Sequence, residues 1–173
     1  MELGESNLTA TLMIQRTMAR YARAIDRLDR ELLLSVYWPE AIDDHGPYKG
    51  PVDGFVDWVI PFLTERFIST NHFLGQTYAE VSGERAVAET LFTAWHVFRD
   101  DPTSAHVVTG RYADVYEQRG GEWRILDRTV LYDWEMAAKV NMLAAPFSTG
   151  LRSREDHTYT LLRQLRAGAR DSR

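Results

Sequence analysis

The sequence predicts an α+β protein, with helices first and a long antiparallel sheet after them. Apolar residues recur at helical spacing as far as about Arg66, and the period falls to two after Ser69. Four long strand patterns then follow one another, separated by short turn signals. Strands so connected pair antiparallel, and the preceding helices must cover one face of the sheet.

Ser6 to Asp26 reads as the first helix, with Leu8, Leu12, Met18, Ala22 and Ile25 on one side and Gln15, Arg16, Arg20 and Arg23 on the other. Ser6 or Asn7 would cap it. A second helix is expected from Arg30 to Tyr37, ended by Trp38-Pro39 because the residue before proline avoids the α region. Ala41 to Gly50, with Asp43, Asp44, Gly46 and Pro47, reads as a brief strand and a tight connection. Val52 to Arg66 is a third helix, with a kink or break expected at Pro61.

The strands are expected at Asn71–Val81, Ala86–Phe98, His106–Gln118 and Trp123–Trp134, with hairpin turns at Ser82-Gly83-Glu84 and Gly120-Gly121. Met136 to Gly150 has no clear period and reads as irregular or a short helix. Asp156 to Ala167 is helical, with Leu161, Leu162 and Leu165 as its apolar side, and the arginines from Arg152 onward form a basic, solvated end.

Composition narrows the function. A net charge of -5 gives no electrostatic reason to expect nucleic acid. No run approaches the ~18 apolar residues of a membrane span, and Met1 to Glu5 lacks the start of a signal peptide. A soluble, cytoplasmic protein is expected. Having no cysteine, the chain forms no disulfide and offers neither thiolate ligand nor thiol nucleophile.

Alternation along the strands selects the polar residues that can meet. Thr90, Phe92, Ala94, His96 and Phe98 share one face of the second strand, and His72, Leu74, Gln76 and Tyr78 one face of the first. Both histidines thus sit among apolar neighbours, where burial lowers a histidine pKa unless a carboxylate compensates. Asp26 closes the first helix. It either caps the second helix or reaches a histidine, making an oriented general base. Arg111 and Arg128 are candidate anion partners, and Arg128 is equally suited to pair with Asp114 or Asp133.

Four segments resemble the SnoaL-like branch of the nuclear transport factor 2-like superfamily: Tyr21-Ala22-Arg23-Ala24-Ile25-Asp26, Thr70-Asn71-His72-Phe73-Leu74-Gly75, Gly110-Arg111-Tyr112-Ala113-Asp114-Val115-Tyr116 and Gly121-Glu122-Trp123-Arg124-Ile125. The resemblance implies a cone-shaped α+β barrel around a ligand cavity. It implies a single domain over residues 1–173, with its core at about 8–134 and a C-terminal extension at 135–173. Comparison with the scytalone dehydratase branch points to Asp26, His72 and His96 as catalytic residues. His72 is then a base held by Asp26, and His96 a proton donor or oxyanion stabiliser.

Where that branch holds its catalytic water with two tyrosines, this chain has Ile25 and Asp44. Tyr21, Tyr48, Tyr78 and Tyr112 are the possible replacements. The branch's substrate-binding serine and asparagine fall near Gly110 and Tyr112 and are not retained, so the resemblance implies a different substrate. Tyr21, Tyr48, Trp58, Phe62, Phe92, Tyr112 and Trp134 are expected to line the pocket for a small cyclic or aromatic substrate.

The expected activity is a lyase, a dehydratase or related elimination, with isomerisation or cyclisation as variants and with no cofactor or metal. Its rivals are a facial triad of two histidines and an aspartate around a metal, and a non-catalytic ligand-binding or subunit-interaction module such as a dioxygenase β subunit. The outward row Leu91, Thr93, Trp95 and Val97 is too apolar for solvent, and the family forms dimers or trimers, so a homo-oligomer is expected.

Overall fold

Helix α1 (Glu5–Arg27) buries Ile14, Met18, Tyr21 and Ile25 along one stripe. The computed structural model describes residues 5–143 and 147–171, so the part of the irregular stretch at 144–146 lies outside it. A Schellman turn stops α1: the Asp29 N–H donates to the Ala24 carbonyl at 2.9 Å and the Leu28 N–H to that of Ile25 at 3.3 Å. Leu28 takes the left-handed conformation, φ +53°, at a cost of roughly 1–2 kcal/mol for a residue with a Cβ. Its side chain packs on the core, which holds the turn in place.

Asp29 then caps α2 (Arg30–Leu34), accepting from the Leu32 N–H at 3.1 Å. The cap is therefore Asp29, and Asp26 is left available for the interior. α2 ends three residues before the expected Tyr37. Ser35 closes it, its hydroxyl donating to the Leu32 carbonyl at 2.6 Å.

Tyr37 and Trp38-Pro39 instead belong to strand β1 (Tyr37–Asp44), the extended backbone that a following proline favours. The β1 ladder is interrupted between Tyr37 and Ile42. Pro39 sits in that gap, where its missing N–H forfeits no pairing. Strand β2 (Lys49–Pro51) is short, and α3 (Val52–Arg66) runs unbroken through Pro61. Pro61 and Asp57, whose carbonyl loses its helical donor, are both exposed, so the lost bond leaves no polar group buried.

Strands β3 (Phe67–Ser82), β4 (Arg85–Phe98), β5 (Ser104–Arg119) and β6 (Glu122–Lys139) are the four long strands, each reaching beyond its expected limits. The sheet order is β2-β1-β6-β5-β4-β3. All neighbours are antiparallel except β1 and β6, which are parallel. The sheet is curved and mixed rather than closed, and α1 packs on its inner face. Gly120 and Gly121, at φ +57° and +82°, form the β5–β6 turn, a pair of left-handed positions that glycine takes freely.

Bulges in the long strands re-aim side chains. In β3 the pairing passes from Leu74↔Phe92 to Thr77↔Thr90, so Gly75 and Gln76 together oppose Leu91. His72 and Leu74 face inward before the bulge, and Thr77, Ala79 and Val81 after it. The expected face of His72, Leu74, Gln76 and Tyr78 is thus corrected beyond Leu74: Gln76 and Tyr78 are exposed. Two further bulges lie between β5 and β6, at Leu126 and at Asp133.

Beside the latter, a Cβ on Gly110 would come within 2.1 Å of the Leu131 carbonyl oxygen. Gly110→Ala must move backbone, and we expect a loss of about 1–3 kcal/mol, read as a lower urea midpoint.

Helix α4 (His157–Asp171) docks through its N-terminal end. The Tyr159 hydroxyl donates to Asp29 at 2.7 Å, Arg154 pairs with Asp29 at 2.8 Å, and Arg23 lies over the Tyr159 ring. Of the expected apolar side of this helix, Leu162 is half-buried while Leu161 and Leu165 remain exposed in the single chain. Among the described residues no helix is long and apolar enough to cross a membrane.

Candidate active site

The last turn of α1 carries Asp26 to the inner face of β3. One carboxylate oxygen takes the backbone N–H of His72 at 3.0 Å and the other meets His72 Nδ1 at 2.8 Å. A carboxylate only accepts, so Nδ1 bears the proton and the lone pair of Nε2 is free. Both side chains are nearly buried, at 12% and 9% exposure. The backbone bond fixes the carboxylate and the side-chain bond fixes the ring, which makes the pair rigid.

His96 stands edge-on to His72, with ring centroids 5.4 Å apart, and packs against Phe67 at 4.9 Å. Burial first, then the neighbouring His72 and His106, push its pKa from the usual 6.5 down to about 3, against a smaller opposing pull from Asp26. It is a neutral imidazole at physiological pH, and its buried Nδ1 has no partner among the described residues. His106 continues the row, 6.2 Å from His96, and bonds Glu135 at 2.8 Å near the surface.

A depressed pKa means that the unfolded chain binds a proton which the folded chain excludes. The stability this contributes is complete above about pH 6.5 and is lost as pH falls toward about 3. Urea midpoints on either side of that window should drop on acidification, and should drop less in His96→Gln.

These groups open into a cavity of about 750 Å³ between the helices and the curved sheet. Tyr21, Trp58, Phe62, Phe92, Tyr112 and Trp134 line it, together with His72, His96, His106, His45 and Tyr132. Tyr48 does not. Its ring stacks behind Trp58 at 5.9 Å and its hydroxyl donates to the Pro51 carbonyl at 2.7 Å, which corrects its expected place in the pocket. Tyr78, on the outer side of the β3 bulge, is likewise excluded from the interior, whereas Tyr21 and Tyr112 lie on the wall. Asp26 is tied to His72, and among the described residues no group of three His, Asp or Glu side chains is placed to hold a metal ion.

Arg128 does not line the cavity and makes the Asp114 pair that the sequence also allows. It is fully buried, forks onto Asp114 with two 2.7 Å bonds, and is sandwiched between the rings of Tyr21 and Tyr112 at 4.2 Å each. Arg111 pairs at the surface with Glu89 and Asp133. The Arg128 guanidinium also donates to the Tyr37 hydroxyl at 3.1 Å, and Tyr37 donates in turn to Asp43 at 2.7 Å.

The other oxygen of Asp43 holds His45 Nδ1 at 2.6 Å, and His45 Nε2 lies 3.4 Å from the Tyr21 hydroxyl. This second His–Asp pair is missing from the sequence reading. Its signal was Asp43-x-His45, two residues apart and hence on one face of the brief strand.

An α+β cone enclosing a histidine–carboxylate cavity is the class that fold and site define. Residues 6–129 match the model of the SnoaL-like domain, and the chain belongs to that family. Comparison with curated proteins finds no match.

Among solved structures, a provisionally assigned scytalone dehydratase from Novosphingobium aromaticivorans is similar at 18% identity, covering 82% of this chain and 94% of that one, with a TM-score of 0.70. The hexachlorocyclohexane dehydrochlorinase LinA-type3 from Novosphingobium barchaimii is similar at 19% identity, 80% and 97% coverage and a TM-score of 0.66. The β subunit of a provisionally assigned aromatic-ring-hydroxylating dioxygenase from N. aromaticivorans follows at 19%, 75% and 93%, with a TM-score of 0.60. At these identities the likeness establishes the fold.

Proposed function

We propose that this chain is a lyase that removes a proton from carbon in a small cyclic or aromatic substrate, with His72 as the base. The observation that carries the reading is that both oxygens of Asp26 are committed to His72, leaving Nε2 bare at an apolar cavity. Asp26 orients the ring and stabilises the imidazolium that forms. His96, held neutral, donates an N–H to the negative charge that develops on the substrate, as a preorganised donor in a dry site. The aromatic wall selects a flat or cyclic molecule and excludes water. This chemistry calls on no group beyond the chain's own side chains. The similarity to a dehydratase and a dehydrochlorinase supports the reading.

The test is proton exchange. Ring-containing hydroxy and halo compounds are incubated with the protein in deuterium oxide, and products and recovered substrate are examined for deuterium and for elimination. A hit that persists at full rate in His72→Ala removes the proposed base.

A subunit-interaction role is the second reading. It draws on the dioxygenase β subunit similarity and on the outer sheet face, where Phe73, Val87 and Trp95 are exposed. We place a second copy of the chain on that face, as a homo-oligomer. Trp95→Glu should then shift the chain to monomer in sedimentation, and an unchanged oligomer or a monomeric wild type would refute that placement.

A further inference from the structure

Resting on the proton-abstraction reading, we infer that His45, positioned by Asp43, is a second catalytic residue of the same cavity: the acid that protonates the oxygen leaving the substrate. Its pair repeats the construction of the first. A carboxylate holds Nδ1, at 2.6 Å here, and Nε2 is turned to the cavity wall, where it meets the Tyr21 hydroxyl.

Asp43 is completely buried, and its second oxygen is bound by the Tyr37 hydroxyl. The His45 ring is clamped by stacking on Phe55, with centroids 4.5 Å apart, and its carbonyl accepts from Tyr132 at 3.2 Å. A surface histidine making a chance contact has no such support. This ring is 13% exposed and fixed on every side.

The two pairs come from opposite edges of the sheet. His72 is on β3 at one edge, and His45 follows β1 near the other, with β6, β5 and β4 between them. Curvature brings both to one cavity, whose wall also carries the stacked rings of Phe92 and Tyr112. A base on one side and an acid on the other suit a substrate with an acidic C–H and, one carbon away, a hydroxyl or ether oxygen.

His72 Nε2 takes the proton, and the C–H electron pair becomes the new π bond. The C–O bond breaks onto oxygen, which receives the Nε2 proton of His45 in its imidazolium form, whose Nδ1–H stays on Asp43, and departs as water or an alcohol. His72 then returns a proton to solvent, and His45 regains one. His96, kept neutral, is unsuited to that delivery, which leaves the acid role open for His45.

Two benzisoxazoles separate the roles. In each, loss of the ring C–H proton opens the N–O bond to a nitrile and a phenolate. The nitro-substituted compound has a good leaving oxygen that needs little acid, and the unsubstituted compound a poorer one that needs more. His72→Gln should abolish turnover of both. Since a placed acid contributes about 10²–10⁴-fold, His45→Gln should cost the unsubstituted compound at least about 10²-fold more than the nitro compound. Should His45→Gln fail to fold, Tyr21→Phe, which keeps the ring and removes the hydroxyl that Nε2 meets, should show the same tilt more weakly, and no tilt would overturn the acid role.

Equal losses on both compounds, with a melting curve like wild type, would overturn the acid role and leave the base standing. Absence of turnover by the wild-type protein, or full turnover in His72→Gln, would overturn proton abstraction itself.

Discussion

Asp26→Asn is expected to lower kcat on any substrate of this cavity by about 10²–10⁴-fold, the range lost when an oriented acid–base group is disabled, with the fold intact. The aspartate accepts two bonds from one residue, the His72 backbone N–H and Nδ1–H. Asparagine has one acceptor. If its oxygen takes the backbone N–H, its amide group faces Nδ1 and forces the tautomer in which Nε2 carries the proton and is no longer a base. If it turns over, two donors meet at the backbone. Nitrogen chemical shifts of His72 would report the tautomer directly, independent of any substrate. An unchanged tautomer and an unchanged rate would together refute the assignment.

Arg128→Met should destabilise the protein by about 3–5 kcal/mol, the penalty for stranding one member of a buried ion pair. Asp114 is 1% exposed and would keep only the Tyr116 hydroxyl, at 2.9 Å. Arg128→Lys should rescue little, because a point charge cannot reproduce the two-pronged bond or the sandwich between Tyr21 and Tyr112. The double replacement Arg128→Met with Asp114→Leu should recover much of the loss, since well-packed apolar residues often substitute for a buried pair. Urea unfolding of the three variants decides the matter. A single variant as stable as wild type would show that the pair is not the keystone the burial implies.

The layout of helices and strands was legible because their patterns are long. Long runs of one period decide between helix and sheet, and the third helix matched its expected span, Val52 to Arg66, from end to end. What escaped was shorter or non-periodic. The start of β1 escaped because Leu33, Val36 and Tyr37 fit both periods over so few residues, which puts Tyr37 in the second helix, although the brief strand expected from Ala41 covers the rest of its paired length to Asp44. The bulge in β3 inserts one residue without a sequence marker stronger than Gly75, so Tyr78 was assigned to the wrong side.

Convergence in space is less visible still. Periodicity put His72 and His96 on inner faces, and the family resemblance selected Asp26 as their partner. Nothing local ties Asp43 to Tyr37 and Arg128, because that chain of bonds joins residues 91 positions apart in sequence. The expected place of Tyr48 failed for the same reason, while of the alternatives open to Arg128 the pair with Asp114 is the one formed. Each finds its partner in the interior, Arg128 on Asp114 and Tyr48 behind Trp58, ahead of any ligand.

The bulge at Gly75-Gln76 has an effect on how this architecture tolerates change. It acts as a phase shifter, letting the cavity half of β3, around His72, and the half that packs on β4 near Thr90 each keep its own in-and-out rhythm. Removing a single residue elsewhere in the strand would put the two halves in conflict, whereas removing Gly75 or Gln76 would restore plain alternation, keep His72 and Thr77 inward and lose only the local bend. Length changes in this strand are therefore constrained to pairs except at the bulge, where a single residue can be lost without turning a face.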